Sequence, residues 1–391
     1  MALAAAFPFI EVRIDTSGLV PVAQRAPGVI AVVGKTPAGP DGGTAAPNTP
    51  FAVDTLDQAA DLFAKKNAGV VAETTLFSSL RTAMLQDPKP SKIFGVRVDA
   101  DNYAAALSSL EAVDDVTFVG LANESAVGAA AAGNNPATNL MALKAHVETM
   151  SAQGQKRLGV AMVDPSTAKS STYVADVLAA IDGLKSDSAR MVMVASRGAT
   201  TDAATAAMAA MAGFEPHISL VLKQIRDVKM PLEKQYSPTE IKGLSEAGVN
   251  PIIDPALIVG EGLHFAEGRT FSTDPSLAYI DIVRVLDDID FRLKAGLIGS
   301  VGDARITKAG MTQVKTQIDG ILGPLRRRAV IADFAVDIPV LNILSVPESA
   351  WTPTDTNIVK TARENRTVDV FVSVTYGPAV HRLKVILAPK F

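Results

Sequence analysis

The chain has 391 residues, 48% apolar and 20% charged, and its 37 Lys and Arg against 41 Asp and Glu leave a net charge of −4. That length gives room for two or three domains with sizeable cores, and the charge balance lacks the basic surface of a nucleic-acid binder. With no cysteine, disulfides, thiolate nucleophiles and Cys-based metal sites are excluded, and no apolar run approaches the ~20 residues a membrane helix needs.

Met1 to Ala6 has no basic residue and Pro8 interrupts the apolar start, so no secretory signal is expected. Phe9 to Asp15 alternates with period 2: Ile10, Val12 and Ile14, next to Phe9, share one face, and Glu11, Arg13 and Asp15 the other. This predicts a strand of about 23 Å. The link Thr16 to Gly28, with two prolines and two glycines, has no periodicity and extends to about 43 Å, against about 21 Å for the radius of gyration of a globule of this length. The N-terminal strand can therefore reach a second copy.

Val29 to Val33 predicts a strand, and the Pro- and Gly-rich stretch Lys35 to Pro50 a loop. Gly28 to Thr36 resembles a phosphate-binding loop, but it is one residue too long and its interior is β-branched, so a buried strand ending in a turn is the expectation. Thr55 and Gln58 form a capping box ahead of Leu56, Ala59, Ala60 and Phe63. Thr74, Phe77, Leu80 and Met84 mark a second helix, and Lys92 to Val98 a strand.

From Val116 the rhythm changes. Val116 to Ala122, Arg157 to Asp164 and Arg190 to Ala195 are near-continuous apolar runs, each followed by a helical stretch: Ala137 to Gln153, Tyr173 to Lys185 and Asp202 to Ala212. Strands apolar on both faces and alternating with helices predict a parallel sheet covered by helices. A ligand site in such a sheet lies beyond the strand carboxyl ends, where Asn123-Glu124-Ser125, Asp164-Pro165-Ser166 and Ser196-Arg197 stand. Without a glycine fingerprint these read as solvated loops, and Val194 to Gly198 lacks the first glycine of a nucleophile elbow. His146, His217, His264 and His381 have no i, i+4 pair and read as locally hydrogen-bonded residues rather than metal ligands.

The third region opens at Gly248 to Ile252, continues through helices at Pro275 to Leu297 and Lys308 to Leu322, and ends in strands at Ala329 to Val336, Val340 to Val346 and Thr367 to Tyr376. In the last of these Val368, Val370, Val372 and Val374 share a face. After Gly377-Pro378 a final run, Val380 to Leu387, places Val380, Leu383, Val385 and Leu387 in a C-terminal strand arm. Apolar strands at both ends need pairing partners, which suggests strand addition between copies. Arg326, Arg327 and Arg328 are a candidate charged interface, with plain solvation as the alternative.

The fold class expected is therefore α/β and α+β multidomain: a middle domain with parallel sheet and helices, and a C-terminal α+β domain with exchanged terminal β-strand arms. The divisions are 1–28 for the N-terminal arm and linker, 29–100 for an α/β segment, 101–247 for the middle domain, 248–376 for the C-terminal domain and 377–391 for the C-terminal arm.

Several stretches together resemble the contractile-tail sheath proteins of phages and pyocins. Pro27-Gly28-Val29 into Val33-Gly34, with Gly39-Pro40, and the helix after Val53-Asp54-Thr55 resemble that family's opening domain. Leu107 to Val116 and Leu158 to Pro165 are similar to its middle domain. Gly248 to Ile252, then Gly268 to Asp274 and Tyr279 to Arg284, resemble its glycine-Arg-Thr turn running into a long helix. The chain departs from the pattern where His264-Phe265-Ala266-Glu267 replaces a tryptophan, and where an arginine pair is reduced to Arg284. The resemblance implies a non-enzymatic subunit, without cofactor or metal, that polymerises helically around an inner tail tube protein and contracts. It implies baseplate and tail terminator partners, no direct nucleic acid or membrane insertion, and a place in a virion tail or phage-like particle after assembly in a host cytoplasm. The competing reading is a soluble α/β enzyme or ligand-binding protein with its site at the middle-domain strand ends.

Overall fold

The structure is a computed structural model that describes residues 28–381 apart from 38, 68, 69, 100, 134, 259–261 and 301. It divides into two compact units. The larger comprises the described residues of Arg25–Asp290, Arg326–Phe334 and Val374–Phe391, and the smaller comprises those of Phe291–Leu325 and Ala335–Ser373.

The larger unit begins with β1 (Val29–Gly34), every residue of which is buried, then β2 (Pro50–Ala52) and α1 (Leu56–Phe63). Thr55 caps α1 by accepting from the Gln58 N–H, while the Gln58 side chain accepts from the Asp54 N–H at 3.0 Å, one residue before the expected box partner. The short pair β3 (Lys65–Asn67) and β4 (Val70–Ala72) precedes α2 (Thr75–Met84), which Thr74 caps, and β5 (Lys92–Arg97). Next come α3 (Tyr103–Ser108), β6 (Phe118–Leu121), α4 (Asn139–Ala152), β7 (Leu158–Met162), α5 (Tyr173–Ile181), β8 (Met191–Ala195) and α6 (Ala203–Gly213). The run continues with β9 (Gln224–Ile225), α7 (Pro238–Glu246), β10 (Val249–Ile253), β11 (Leu263–Phe265) and α8 (Ile280–Leu297), the last of which crosses the unit boundary.

Nine strands form one sheet in the order β2-β5-β1-β6-β7-β8-β10-β11-β9. Its central six, β5 to β10 in that order, are parallel, while β2, β11 and β9 are antiparallel to their neighbours. Period-2 alternation sorts β1 cleanly. Ile30 and Val32 pack with α1, α2, α6 and the start of α8 on one face, and Val29, Ala31 and Val33 with α3, α4, α5 and α7 on the other. Covering both faces is what near-continuous apolar strands require. Helix α6 is buried on every side from Ala203 to Ala212, and it packs tightly on the sheet where Met208 faces Gly120 of β6, on which a Cβ would stand 3.1 Å from Met208 Cε.

The parallel sheet agrees with the reading of residues 116–195, but the sheet is wider than that reading. It runs without interruption from Val29 to Phe265, across the expected divisions at 100/101 and 247/248. The apolar segments on either side of those positions cover one another's sheet edges, so no separate core is built there.

The smaller unit contains the remainder of α8, most of α9 (Lys308–Arg327), α10 (Pro339–Leu344) and α11 (Pro353–Asn365). Its core gathers Met311, Ile338 and Leu341 with Val314, Val336, Leu344, Val368 and Val370. Two strands that, like α8, cross the unit boundary, β12 (Asp333–Asp337) and β13 (Phe371–Thr375), form a sheet of their own.

Three expectations change here. The strand expected at Val340 to Val346 is instead a helix to Leu344 followed by a turn, because Pro339 supplies a preset φ at the first helical position and Ile338, Leu341 and Leu344 recur every three residues toward the core. The strand expected from Ala329 begins only at Asp333, since Ala329 takes a left-handed φ of 56° just past α9. Helix α9 continues past Leu322 to Arg327 with Pro324 inside it.

Candidate functional site

The positions that first suggested chemistry are occupied by internal contacts. The phosphate-loop look-alike is a buried strand: a Cβ on Gly34 would meet Ala122 Cβ at 2.5 Å. The next residue, Lys35, pairs with Asp101 at 2.9 Å and sits over the Tyr103 ring. At the strand carboxyl ends, the Asp202 carboxylate accepts from Ser79 Oγ, the Asn123 N–H, and both the N–H and hydroxyl of Thr205, all within 2.9 Å. Glu124 accepts from Tyr103 Oη at 3.1 Å, and Asp164 from Ser166. These groups close the strand ends by bonding to each other. Among the described residues no His, Asp and Glu group has a metal-holding arrangement.

Arg197 is the most heavily used of these side chains. It is 1% exposed, donates from Nε to Lys234 O and from Nη2 to Gln235 O, and pairs with Glu240 at 2.7 Å. Its guanidinium lies 4.4 Å from the Tyr173 ring centroid and 4.7 Å from that of Tyr236. Burial pushes the Tyr236 hydroxyl far up from its ordinary range. Burial also pushes the Glu240 carboxyl up, but the hydrogen bonds from Arg197 and Ser237 outweigh it and hold the group below its usual range. Sequence reading assigned Arg197 to a loop. The available signal was a cation two residues after the five apolar residues of β8, separated from them only by Ser196.

The histidines are locally bonded, as expected. Arg157 donates from Nη1 to His146 Nε2 at 2.9 Å. Because arginine only donates, the imidazole accepts there and is neutral, and burial followed by the Arg157 charge lowers its pKa from 6.5 to about 4. His264 Nδ1 lies 3.1 Å from Gly262 O, and His217 Nδ1 lies 3.5 Å from Glu215.

The remaining candidate is a surface for joining strands. In the β12–β13 sheet Phe334, Val336, Val372 and Val374 are half-buried while Asp333, Ala335, Asp337, Phe371, Ser373 and Thr375 are exposed. Val368, Val370, Val372 and Val374 thus share a face as the period predicts. Among the described residues no third strand pairs with this sheet, and Phe371 is 59% exposed. Two strands alone are marginal in water, and an unpaired apolar edge is a template for addition.

Of the arm residues, Phe9, Ile10, Val12, Ile14, Leu383, Val385 and Leu387 lie outside the described residues, while Val380 is 79% exposed. The arginine triplet does not act as one patch. Arg326 pairs with Asp333 at 3.3 Å and stacks on Phe334, Arg328 pairs with Glu215 at 2.7 Å, and Arg327 is exposed.

No protein-family model and no curated protein sequence matches the chain. Solved structures do. A chain of the contracted sheath complex of the extracellular contractile injection system PVC matches with a TM-score of 0.68 at 12% identity, covering 99% of this chain and 98% of that one. One from the anti-feeding prophage baseplate matches at 0.64 and 14%, covering 99% of both. The sheath tail protein of Desulfitobacterium hafniense matches at 0.55 and 11%, covering 85% and 93%. The protein therefore has the fold of contractile-injection and tail sheath proteins, over essentially its whole length.

Proposed function

We propose that this chain is a sheath subunit of a contractile tail or of a related injection particle. Many copies polymerise helically around an inner tail tube protein, bounded by a baseplate and a tail terminator, and contraction drives the tube through a target envelope. The observation that carries this reading is the two-stranded β12–β13 sheet, whose outer edges have no partner among the described residues in a chain whose fold is that of sheath proteins. On this reading the N-terminal strand Phe9 to Asp15 and the C-terminal run to Leu387 add to such sheets on neighbouring copies. Main-chain hydrogen bonds hold the copies together, and alternate side chains set the register. A heterologous contact of this kind does not close on itself and so grows a helix. Energy is stored as a difference between two packings, so the subunit is not an enzyme and uses no nucleotide or metal. It resides in the particle's tail after assembly in the host cytoplasm.

Electron microscopy of the purified protein in buffer containing a chelator tests this. Hollow cylinders are expected, in the contracted form when no inner tube is supplied. Strict dependence on ATP or a divalent ion, or only dispersed monomers at high concentration, overturns the reading.

A further inference from the structure

The C-terminal arm has a root fixed to its own chain. After β13, the Thr375 carbonyl accepts from the Ala332 N–H at 2.8 Å. Tyr376 donates its hydroxyl to Asp281 at 2.8 Å, where the aspartate is 5% exposed, and burial followed by this hydrogen bond pushes the phenol far above its ordinary range. Gly377 to Val380 then passes over the surface, with Val380 almost fully in solvent.

At His381 the chain docks again. The ring Nε2 lies 2.9 Å from Ser219 Oγ, Nδ1 lies 3.8 Å from the Glu267 carboxylate, and the Tyr279 ring meets the imidazole edge-on with centroids 5.2 Å apart. Arg269 holds that tyrosine from behind, donating to its hydroxyl at 3.1 Å. The His381 side chain is only 17% exposed and that of Glu267 10%. Ser219 follows α6, Glu267 follows β11 and Tyr279 precedes α8, so three separate segments of the larger unit converge on one histidine.

We propose that Tyr376 and His381 form an intrachain anchor that persists in the assembled particle, so that strand exchange at the C-terminus begins after residue 381 rather than at residue 377 or 380. This rests on the sheath reading for its consequence, though not for the anchor itself. An exposed tether with no purpose beyond reach has no need of a half-buried tyrosine bonded to a buried aspartate, nor of a histidine seated between a serine, a glutamate and an aromatic edge. Five residues from Gly377 to His381 fixed at both ends take up slack, leaving at most about 33 Å of reach for the last ten residues. Val380, on this assignment, faces solvent between the two anchor points and pairs with nothing on the next copy.

Because the chain has no cysteine, two introduced thiols are the only ones present. In the full-length Ser219→Cys/His381→Cys protein, a short bismaleimide is expected to cross-link within one chain, both in monomers and in tubes, on denaturing gels. Cross-links between chains in tubes, or none in monomers, overturn the anchor. A second measurement leaves the native contacts in place. Spin labels on Leu222→Cys and Val380→Cys, both at exposed positions, are diluted into unlabelled protein, and one narrow distance common to monomers and tubes is expected. A distance that lengthens or broadens on assembly overturns the proposal. If no tubes form, the sheath reading falls and the monomer cross-link alone decides the anchor.

Discussion

Arg197 and Glu240 form a nearly water-free ion pair, 2.7 Å apart with side chains 1% and 12% exposed. The arginine comes from the loop after β8 and the glutamate from the first turn of α7, where it also completes a capping box with Ser237. Removing one partner leaves a buried charge uncompensated, and Arg197→Met also strips the donors from Lys234 O and Gln235 O. The expected loss is about 3–5 kcal/mol, read as a fall in the denaturant midpoint. Arg197→Lys should recover little, because an ammonium cannot reproduce the planar stack between Tyr173 and Tyr236. Wild-type stability in either variant would refute this role.

His146 supplies a pH dependence with a definite sign. Its folded pKa, about 4, lies below the ordinary 6.5, so the unfolded chain takes up a proton the folded one refuses. The contribution is complete above about pH 6.5 and is lost as pH falls toward 4, at up to about 1.4 kcal/mol per pH unit. Gln in its place can still accept from Arg157 but does not titrate. Between pH 7 and pH 4.5 the wild type should lose more stability than His146→Gln, and equal losses would contradict the assignment.

Gly28 stands against the end of α6. A Cβ there would lie 1.8 Å from the Ala212 carbonyl oxygen, which is backbone and cannot rotate away. Gly28→Ala should cost about 1–3 kcal/mol through a shift of β1 against α6, visible as a lower thermal midpoint. A melt identical to wild type would show that the contact gives way freely.

Deleting residues 1–15 or 382–391 should leave a cooperative melt but abolish ordered tubes, if strand addition joins the copies. Normal tubes from either truncated protein, seen by electron microscopy, would remove the arms from the assembly.

Arg326 and Arg328 already have exposed partners, worth about 0–1 kcal/mol each, so Arg327 is the member of the triplet presented outward. Arg327→Glu should leave the melting profile unchanged and weaken tube formation, more at low salt than at high. Assembly indifferent to this reversal would exclude it from the interface.

Much of the fold was legible because local physics wrote it plainly. A continuous apolar run such as Met191 to Ala195, buried at every position, fits a sheet covered on both faces, and Thr55 and Thr74 cap the helices they precede. Some readable signals went unused: Pro339 opening α10, and the capping boxes at Ser237 with Glu240 and Thr352 with Asp355. Period-2 patterning placed Val368, Val370, Val372 and Val374 on one face, the last two of them in β13.

Long-range contact decided the rest. That β10, β11 and β9 extend the same sheet as β1 depends on which edge each strand meets, and sequence carries no address for an edge. The same holds for Arg197, whose two rings and carboxylate come from positions 173, 236 and 240, and for His381, whose partners lie at 219, 267 and 279. Sequence by itself determined most of the strands and helices of the sheet, and raised the expectation of apolar terminal arms that pair with other copies. Tertiary structure alone decided which polar side chains are buried together, because burying a charge is tolerated only where distant segments happen to bring its complement.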